Sequence, residues 1–119
     1  MRKENLPLGR RKEKPWGYER PIAIFRGLHL KELFFKEGKM SSLHYHENKD
    51  ELMYVVYGQI RLRRNEDVII MQPGDTAHIQ PGQHHRIMPL EDTLILEMGT
   101  QMFGDVKRLE DEYRRNKEE

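Results

Sequence analysis

The sequence predicts an all-β protein, a barrel or sandwich of short strands, and two features of the chain support this fold class. Runs of β-branched, aromatic and aliphatic residues recur along the chain, and each run is short. Gly or Pro separates most of these runs, as turns between strands do. With 119 residues, the chain is long enough for one domain with a single core and too short for two.

The predicted strands follow one another between residues 21 and 98. They comprise residues 21–25, 28–35, 52–57, 60–63, 68–71, 76–79, 85–88 and 93–98. Methionines are distributed over this region, and flexible thioethers fill irregular cores well, so we expect them inside. These are Met40, Met53, Met71, Met88 and Met98.

The two ends of the chain differ from this β pattern. Residues 1–14 contain six basic side chains and few apolar ones, which predicts a loose N-terminal arm before a barrel of residues 15–104. In residues 105–119, Val106, Leu109 and Tyr113 recur at helical spacing among charged side chains, which predicts a short C-terminal helix or tail. Because such an arm can cross to a second copy and cover a strand edge, we expect a homodimer.

Composition excludes several classes of protein. Lys and Arg total 21 against 20 for Asp and Glu, so the net charge of +1 provides no strong attraction to nucleic acid. The absence of cysteine removes disulfides, thiolate metal sites and thiol nucleophiles. No apolar run approaches the roughly 20 residues that span a bilayer, and the N-terminus lacks a signal-like stretch. We therefore expect a cytoplasmic protein that does not associate with membranes.

Residues of metal-ligand type occur together near the middle of the sequence. Residues i and i+2 of a strand point to the same face, so His44 and His46 can direct their imidazoles at one point. The polar run 47–50 predicts a turn that returns Glu51 towards them, and His85 follows a Pro-Gly turn. Imidazole and carboxylate suit divalent Zn, Mn, Fe or Ni. The alternative interpretation is a solvent-exposed His-X-His pair without a metal.

The spacing of these residues resembles the two motifs of the cupins. The first motif, with His-X-His and Glu between two glycines, is matched by Gly38, His44, His46, Glu51 and Gly58. The second is matched by Gly74, Gly82 and His85. The resemblance implies a double-stranded β-helix, also called a jelly-roll barrel. It also implies that the metal ligands are His44, His46, Glu51 and His85.

A narrower resemblance extends over most of the chain. Residues 14–19 (KPWGYE), 38–43 (GKMSSL) and 104–111 (GDVKRLED) are similar to the cupin domain of type II phosphomannose isomerases. This likeness implies metal-dependent interconversion of mannose 6-phosphate and fructose 6-phosphate, so the expected partner is a sugar phosphate. His44 departs from the bifunctional members, which commonly have Gln there. Two alternatives stay open, namely a non-catalytic metal-binding module for a sugar or small anion, and an Fe-dependent oxygenase.

The resemblance assigns catalytic roles to Glu51 and Arg86. Strand parity directs Arg86 away from His85, unless a bulge turns it back. An isomerase also needs a base, for which His78 and Glu97 are candidates. Cations suitable for a phosphate group are Lys36, Arg61, Arg63, Lys107 and Arg108.

Overall fold

The computed structural model describes residues 10–100, 106–111 and 113, and these residues form β-strands joined by turns and loops. In about half of the strands, buried residues alternate with more exposed ones, so that one face of the strand points towards the interior. The strands are β1 (Lys12–Lys14), β2 (Gly17–Phe25), β3 (Leu28–Phe35), β4 (Leu43–His46), β5 (Glu51–Tyr57), β6 (Ile60–Arg64), β7 (Asp67–Met71), β8 (Thr76–Ile79), β9 (His85–Pro89), β10 (Thr93–Thr100) and β11 (Val106–Glu110).

The strands form two antiparallel sheets that enclose one core. The six-stranded sheet has the order β1-β2-β3-β10-β5-β8, and the five-stranded sheet has the order β11-β4-β9-β6-β7. Strands distant in sequence are therefore neighbours, as in a jelly-roll barrel. The predicted all-β fold is confirmed.

Alternation along β5 shows how the core is built. Glu51, Met53 and Val55 are buried, whereas the other residues of the strand are exposed. The same alternation on β10 buries Ile95, and on β6 it buries Leu62. Trp16 closes one end of the core by stacking on Phe35, with 4.1 Å between ring centroids. The hydrophobic effect of burying these inward rows stabilises both sheets against each other.

The predicted C-terminal helix is wrong for the residues that the structure describes there. Residues 106–110 form β11, which pairs antiparallel with β4 and has a register shift between Arg108 and Glu110. The edge of β4 offers unpaired backbone groups, and pairing with them outweighs the weak helical pattern. Residues 101–105, 112 and 114–119 lie outside the described part of the chain.

The structure confirms only part of two further predictions, namely that the methionines are buried and that residues 1–14 form a loose arm. Met53 and Met71 are buried as predicted, but Met98 is 46% exposed because strand parity turns it to the outer side of the six-stranded sheet. Within the predicted arm, residues 12–14 form β1 and pair with β2, while residues 1–9 lie outside the described range.

Among the described residues, no helix is long and apolar enough to cross a membrane.

We predict that two glycines with the same backbone angle differ sharply in their tolerance of alanine. Gly58 has φ +91° and Gly74 has φ +93°, so either Gly→Ala change costs about 1–2 kcal/mol of strain. A Cβ on Gly58 also collides with Thr93 and with the backbone of Asp92, whereas a Cβ on Gly74 meets nothing within 4 Å. Gly58→Ala should therefore lower the free energy of unfolding by about 1–3 kcal/mol more than Gly74→Ala, measured by urea denaturation. Equal losses would contradict the packing at Gly58.

Candidate metal centre

Three histidines converge on one point between the two sheets. His44 and His46 lie two residues apart on β4, and His44 is the register partner of His85 on β9. One nitrogen from each ring lies within 4.8 Å of the others. The i, i+2 spacing and the antiparallel pairing together place these donors on one face, so the cluster could hold a metal ion.

Two of the three histidines are oriented by backbone carbonyl groups. The Nδ1 of His85 lies 3.1 Å from the carbonyl oxygen of Gln83, and the Nδ1 of His44 lies 3.0 Å from that of Ser42. A carbonyl oxygen only accepts, so in each contact Nδ1 donates its proton and Nε2 keeps a lone pair. Metal-binding histidines are commonly held in this way, with the second nitrogen bonded to a carbonyl or carboxylate.

Burial keeps the imidazoles of His44 and His85 neutral. It lowers the pKa of His85 to about 4. Burial also holds the pKa of His44 well below its usual range, with a further contribution from His85 beside it. At neutral pH both rings therefore have free lone pairs for a metal.

Glu51 places a carboxylate beside the histidines. Its Oε1 lies 3.1 Å from His46 Nε2 and 3.7 Å from His85 Nε2. That oxygen is buried and accepts no hydrogen bond from the described residues. Burial first, and then the charge of Glu97, raise the pKa of Glu51, so its ionised form needs a compensating cation. This unsatisfied oxygen fits a metal ion, and Glu51 as fourth ligand stays a prediction.

The side chains of this cluster are therefore suitable ligands for a divalent metal. Imidazole nitrogens and a carboxylate oxygen match the preferences of Zn, Mn, Fe and Ni alike. The donor set does not select one metal among them.

The cluster lines a cavity of about 420 Å³ between the sheets. Its apolar wall includes Trp16, Leu33, Phe35 and Met53, and its polar wall includes the histidine cluster. Besides Lys49, four basic residues on three strands line it, namely Lys12 and Lys14 on β1, Lys31 on β3 and Arg108 on β11. Of the five cations that the sequence analysis proposed for a phosphate group, Arg108 lies in this wall. The sequence analysis did not propose Lys12, Lys14 or Lys31 for this role. The alternation of Lys12, Glu13 and Lys14 could have indicated the first two, because it places both lysines on one face of β1.

A second polar cluster lies in the same cavity, beside Glu51. His29 on β3 donates from Nε2 to Glu97 Oε1 on β10 at 2.9 Å. Lys49 donates from Nζ to the same oxygen at 3.1 Å and lies 3.7 Å from Glu51 Oε2. All three side chains of this His29–Lys49–Glu97 cluster are buried.

Electrostatics within this cluster keep it charged. Burial raises the pKa of Glu97, but the hydrogen bond from His29 and the charge of Lys49 outweigh it and hold the pKa well below the usual range. Burial lowers the pKa of Lys49, and the charges of Glu97 and Glu51 reverse this and raise it. The structure therefore maintains a buried carboxylate and ammonium pair beside the histidines.

Other residues proposed from the sequence lie elsewhere. Arg86 donates from Nε to the Ser41 carbonyl at 3.0 Å and from Nη2 to the Glu110 carbonyl at 3.2 Å. These bonds fasten β11 beside β4, and Arg86 does not line the cavity. His78 is exposed on β8, where its Nε2 lies 2.8 Å from Asp50 Oδ1. Glu97 is the proposed base that the fold brings into the cavity, and the catalytic assignments of Glu51 and Arg86 remain predictions.

Comparison with known proteins identifies the family. The model of the cupin domain matches residues 32–97, which include all three histidines. The chain belongs to the cupin domain family. Xanthan biosynthesis protein XanB of Xanthomonas campestris pv. campestris is 30% identical to this cupin over 109 residues. The match covers 86% of this chain and 23% of XanB, so the cupin spans less than a quarter of that relative's length.

Solved structures resemble this cupin in fold. KdgF from Halomonas sp. superimposes with a TM-score of 0.74 at 22% identity, covering 81% of this chain and 89% of KdgF. Oxalate decarboxylase from Bacillus subtilis gives 0.77 at 21% identity, covering 85% of this chain and 30% of that enzyme. A protein described as a candidate sugar phosphate isomerase from Acidithiobacillus ferrooxidans gives 0.65 at 22% identity, covering 79% and 68%.

We predict that metal binding depends on the histidine cluster. His44→Ala and His85→Ala should each lose bound divalent metal, because each removes a nitrogen donor, whereas His78→Ala on exposed β8 should retain it. Elemental analysis of purified protein measures this directly. Equal metal content in all three variants and the unchanged protein would exclude the cluster as the binding site.

Stability of the chelator-stripped protein should depend on His85 in mild acid. Between pH 6.5, the ordinary pKa, and about 4, the value in the folded protein, the unfolded chain binds a proton at His85 that the folded chain does not. The free energy of unfolding should therefore fall as pH falls through this window. His85→Asn removes the titrating group and should reduce the slope, as measured by urea denaturation at each pH. An unchanged slope would show that His85 is not buried in its neutral form.

Proposed function

We propose that this cupin is a metal-dependent isomerase that interconverts the aldose and ketose forms of a sugar phosphate, in the class of mannose 6-phosphate and fructose 6-phosphate. The observation that carries the proposal is that the histidine cluster and four basic side chains line a single cavity. A metal suits the neighbouring oxygens of a sugar, and Lys and Arg suit a phosphate. One ligand can thus engage both parts of the cavity wall.

The size of the cavity and the relatives support this substrate class. About 420 Å³ lies within the range of roughly 300–1,000 Å³ that is typical of small-molecule sites. XanB is named for xanthan biosynthesis, and a protein described as a candidate sugar phosphate isomerase shares the fold. Both names fit a carbohydrate substrate.

Isomerisation requires removal of a proton from a carbon beside a carbonyl group, and the chain supplies a base for it. His29 lines the cavity and donates from Nε2 to Glu97, which leaves Nδ1 as the ring nitrogen that can accept a proton. The ionised Glu97 orients the ring and stabilises its positive charge once the proton arrives, as carboxylates do in other His–carboxylate pairs. We therefore assign the base to His29 and give Glu97 a positioning role.

Lys49 complements this pair. Its ammonium group lies between the carboxylates of Glu97 and Glu51 and offsets their negative charge. A divalent metal held by the histidines would polarise the sugar oxygens as a Lewis acid. The apolar wall around Trp16 and Phe35 excludes water from the reacting carbon.

The decisive experiment is incubation of metal-loaded protein with mannose 6-phosphate and measurement of fructose 6-phosphate. We expect turnover that a chelator abolishes. If the protein binds mannose 6-phosphate but does not convert it with Zn, Mn, Fe or Ni, it is a non-catalytic binding module. Oxygen uptake by the Fe(II)-loaded protein would identify an oxygenase.

His29→Asn and Glu97→Gln test the assigned base. Each should lower kcat by about 10²–10⁴-fold while the metal content stays unchanged, because proton transfer is lost and the histidine cluster is intact. His29→Asn should also remove one limb of the pH profile of kcat. His78→Asn is the matched control, since that histidine is exposed and outside the cavity. Full activity in His29→Asn would rule out the assigned base.

A further inference from the structure

A second groove lies on the outer side of the six-stranded sheet and has a volume of about 560 Å³. Tyr18, Phe34 and Tyr57 line it, and we call it the outer groove. Leu33 and Phe35, the neighbours of Phe34 on β3, line the metal-site cavity on the inner side instead. The sheet therefore separates two spaces, each of a volume typical of small-molecule sites.

Aromatic rings form the floor of the outer groove. Tyr18 is the register partner of Phe34, Phe34 pairs with Leu94, and Leu94 pairs with Tyr57, so these residues form one row across four strands. The rings of Tyr18 and Phe34 stack with 5.5 Å between their centroids. The guanidinium of Arg11 covers the Tyr18 ring at 4.2 Å, whereas Tyr57 is 46% exposed. An exposed ring of this kind can stack on a planar ligand.

A β-bulge places Tyr57 in this row. Ile95 pairs with Val55 and Leu94 pairs with Tyr57, so Val56 is an extra residue of β5 at the register shift. Strict alternation from buried Val55 would turn Tyr57 inward, but after the bulge its side chain is exposed in the outer groove. Bulges commonly redirect side chains beside functional sites. The irregularity thus adds an accessible ring to the floor.

Positive charge surrounds the aromatic floor. Arg11, Lys14, Lys36 and Lys39 line the outer groove, and the carboxylate among its described lining residues is that of Glu13, which accepts from Arg11 Nε at 2.9 Å. Four cations against one carboxylate leave a formal charge of +3. Within the described part of the chain, neither Lys36 nor Lys39 pairs with a carboxylate. This excess of like charge favours an anionic ligand.

The backbone holds Lys36 and Lys39 in a fixed turn. The Lys36 amide donates to the Trp16 carbonyl at 2.8 Å, and the Gly38 amide donates to the Pro89 carbonyl at 3.0 Å. The Lys39 amide closes the turn by donating to the Lys36 carbonyl at 3.0 Å. Because the backbone is already ordered, a ligand has less conformational freedom to remove when it binds. Lys36 is one of the cations that the sequence analysis proposed for a phosphate group, and the structure places it in this groove.

We propose that the outer groove binds a nucleoside diphosphate, with its base stacked on the ring of Tyr57 and its phosphates between Lys36 and Lys39. This ligand class combines a planar base with a charge of about −3 at neutral pH, which matches both the floor and the charge of the groove. An inorganic anion leaves the rings unused, and an uncharged aromatic ligand leaves the cations unused. The site is independent of the proposed isomerase activity, because the sheet separates it from the metal-site cavity.

Substitution of Tyr57 tests the stacking surface. Calorimetric titration of the metal-loaded protein with ADP should show binding that Tyr57→Ala weakens at least about fivefold, because a stacked base loses its partner. Tyr57→Phe keeps the ring and should retain affinity within about twofold. Tyr54→Ala is the matched control, since Tyr54 is 42% exposed on the same strand and does not line the groove. Absence of ADP binding, or full affinity in Tyr57→Ala, overturns the proposal.

Substitution of the lysines tests the phosphate contacts. Lys36→Ala with Lys39→Ala should weaken ADP and pyrophosphate at least about tenfold, because charged hydrogen bonds are lost. Arg61→Ala with Arg63→Ala, at exposed positions of β6, removes the same charge from the other sheet and should leave both affinities unchanged. Circular dichroism confirms that each variant folds.

Two further comparisons separate this site from other modes of binding. His44→Ala should lose the metal and still bind ADP, so loss of ADP binding in this variant would place the ligand at the histidine cluster and overturn the proposal. Pyrophosphate should bind more weakly than ADP, because it lacks the base. Equal affinities would show that the groove takes an anion alone, which also overturns the nucleoside assignment. None of these measurements depends on isomerase activity.

Discussion

The pairing of β4 with β9 is the contact on which the candidate site depends. It sets His44 opposite His85, and the two-residue period of β4 then adds His46 on the same face. The surrounding backbone completes the arrangement, because carbonyl groups at Ser42 and Gln83 take the Nδ1 protons and leave Nε2 free. Glu51 enters at the first residue of β5, where its Oε1 is buried and accepts no hydrogen bond from the described residues. Strand geometry, rather than loop conformation, therefore positions the donors.

The interior combines two polar clusters of different chemistry. His44 and His85 are held neutral by burial, whereas Glu97 and Lys49 are held charged chiefly by each other and by their neighbours. The two clusters avoid the free-energy cost of a buried charge in different ways. A buried imidazole becomes neutral when it loses its proton, whereas a buried ionised carboxylate needs a neighbouring cation to offset its charge. A cavity with neutral donors on one wall and a fixed ion pair on another can separate metal binding from proton transfer.

Features that depend on local periodicity, such as the strands and the His44–His46 pair, could be predicted from the sequence. Contacts between strands that are distant in sequence could not. His44 and His46 were recognisable because two residues on one strand share a face, and the strands themselves were indicated by short apolar runs. The His29–Glu97 contact joins residues 68 positions apart, and nothing near either residue signals the other. Lys49 was read as part of a polar turn, yet tertiary packing buries it. The helical spacing of Val106 and Leu109 was real but weaker than the free edge of β4.

Strands β5 and β10 present cavity residues on one side of the six-stranded sheet and more exposed apolar residues on the other. In β5, Met53 points inward while Leu52 and Tyr54 point outward, and in β10 Glu97 lies between outward Leu96 and Met98. The pairing of these strands already takes up one extra residue of β5 at a register shift between Leu94 and Ile95. Where the register is unbroken, at residues 51–55 of β5 and 95–99 of β10, insertion or deletion of a single residue exchanges the two sides beyond that point, which exposes cavity residues and buries surface ones. Variation in length should therefore be confined to the register shift and to the turns at the strand ends.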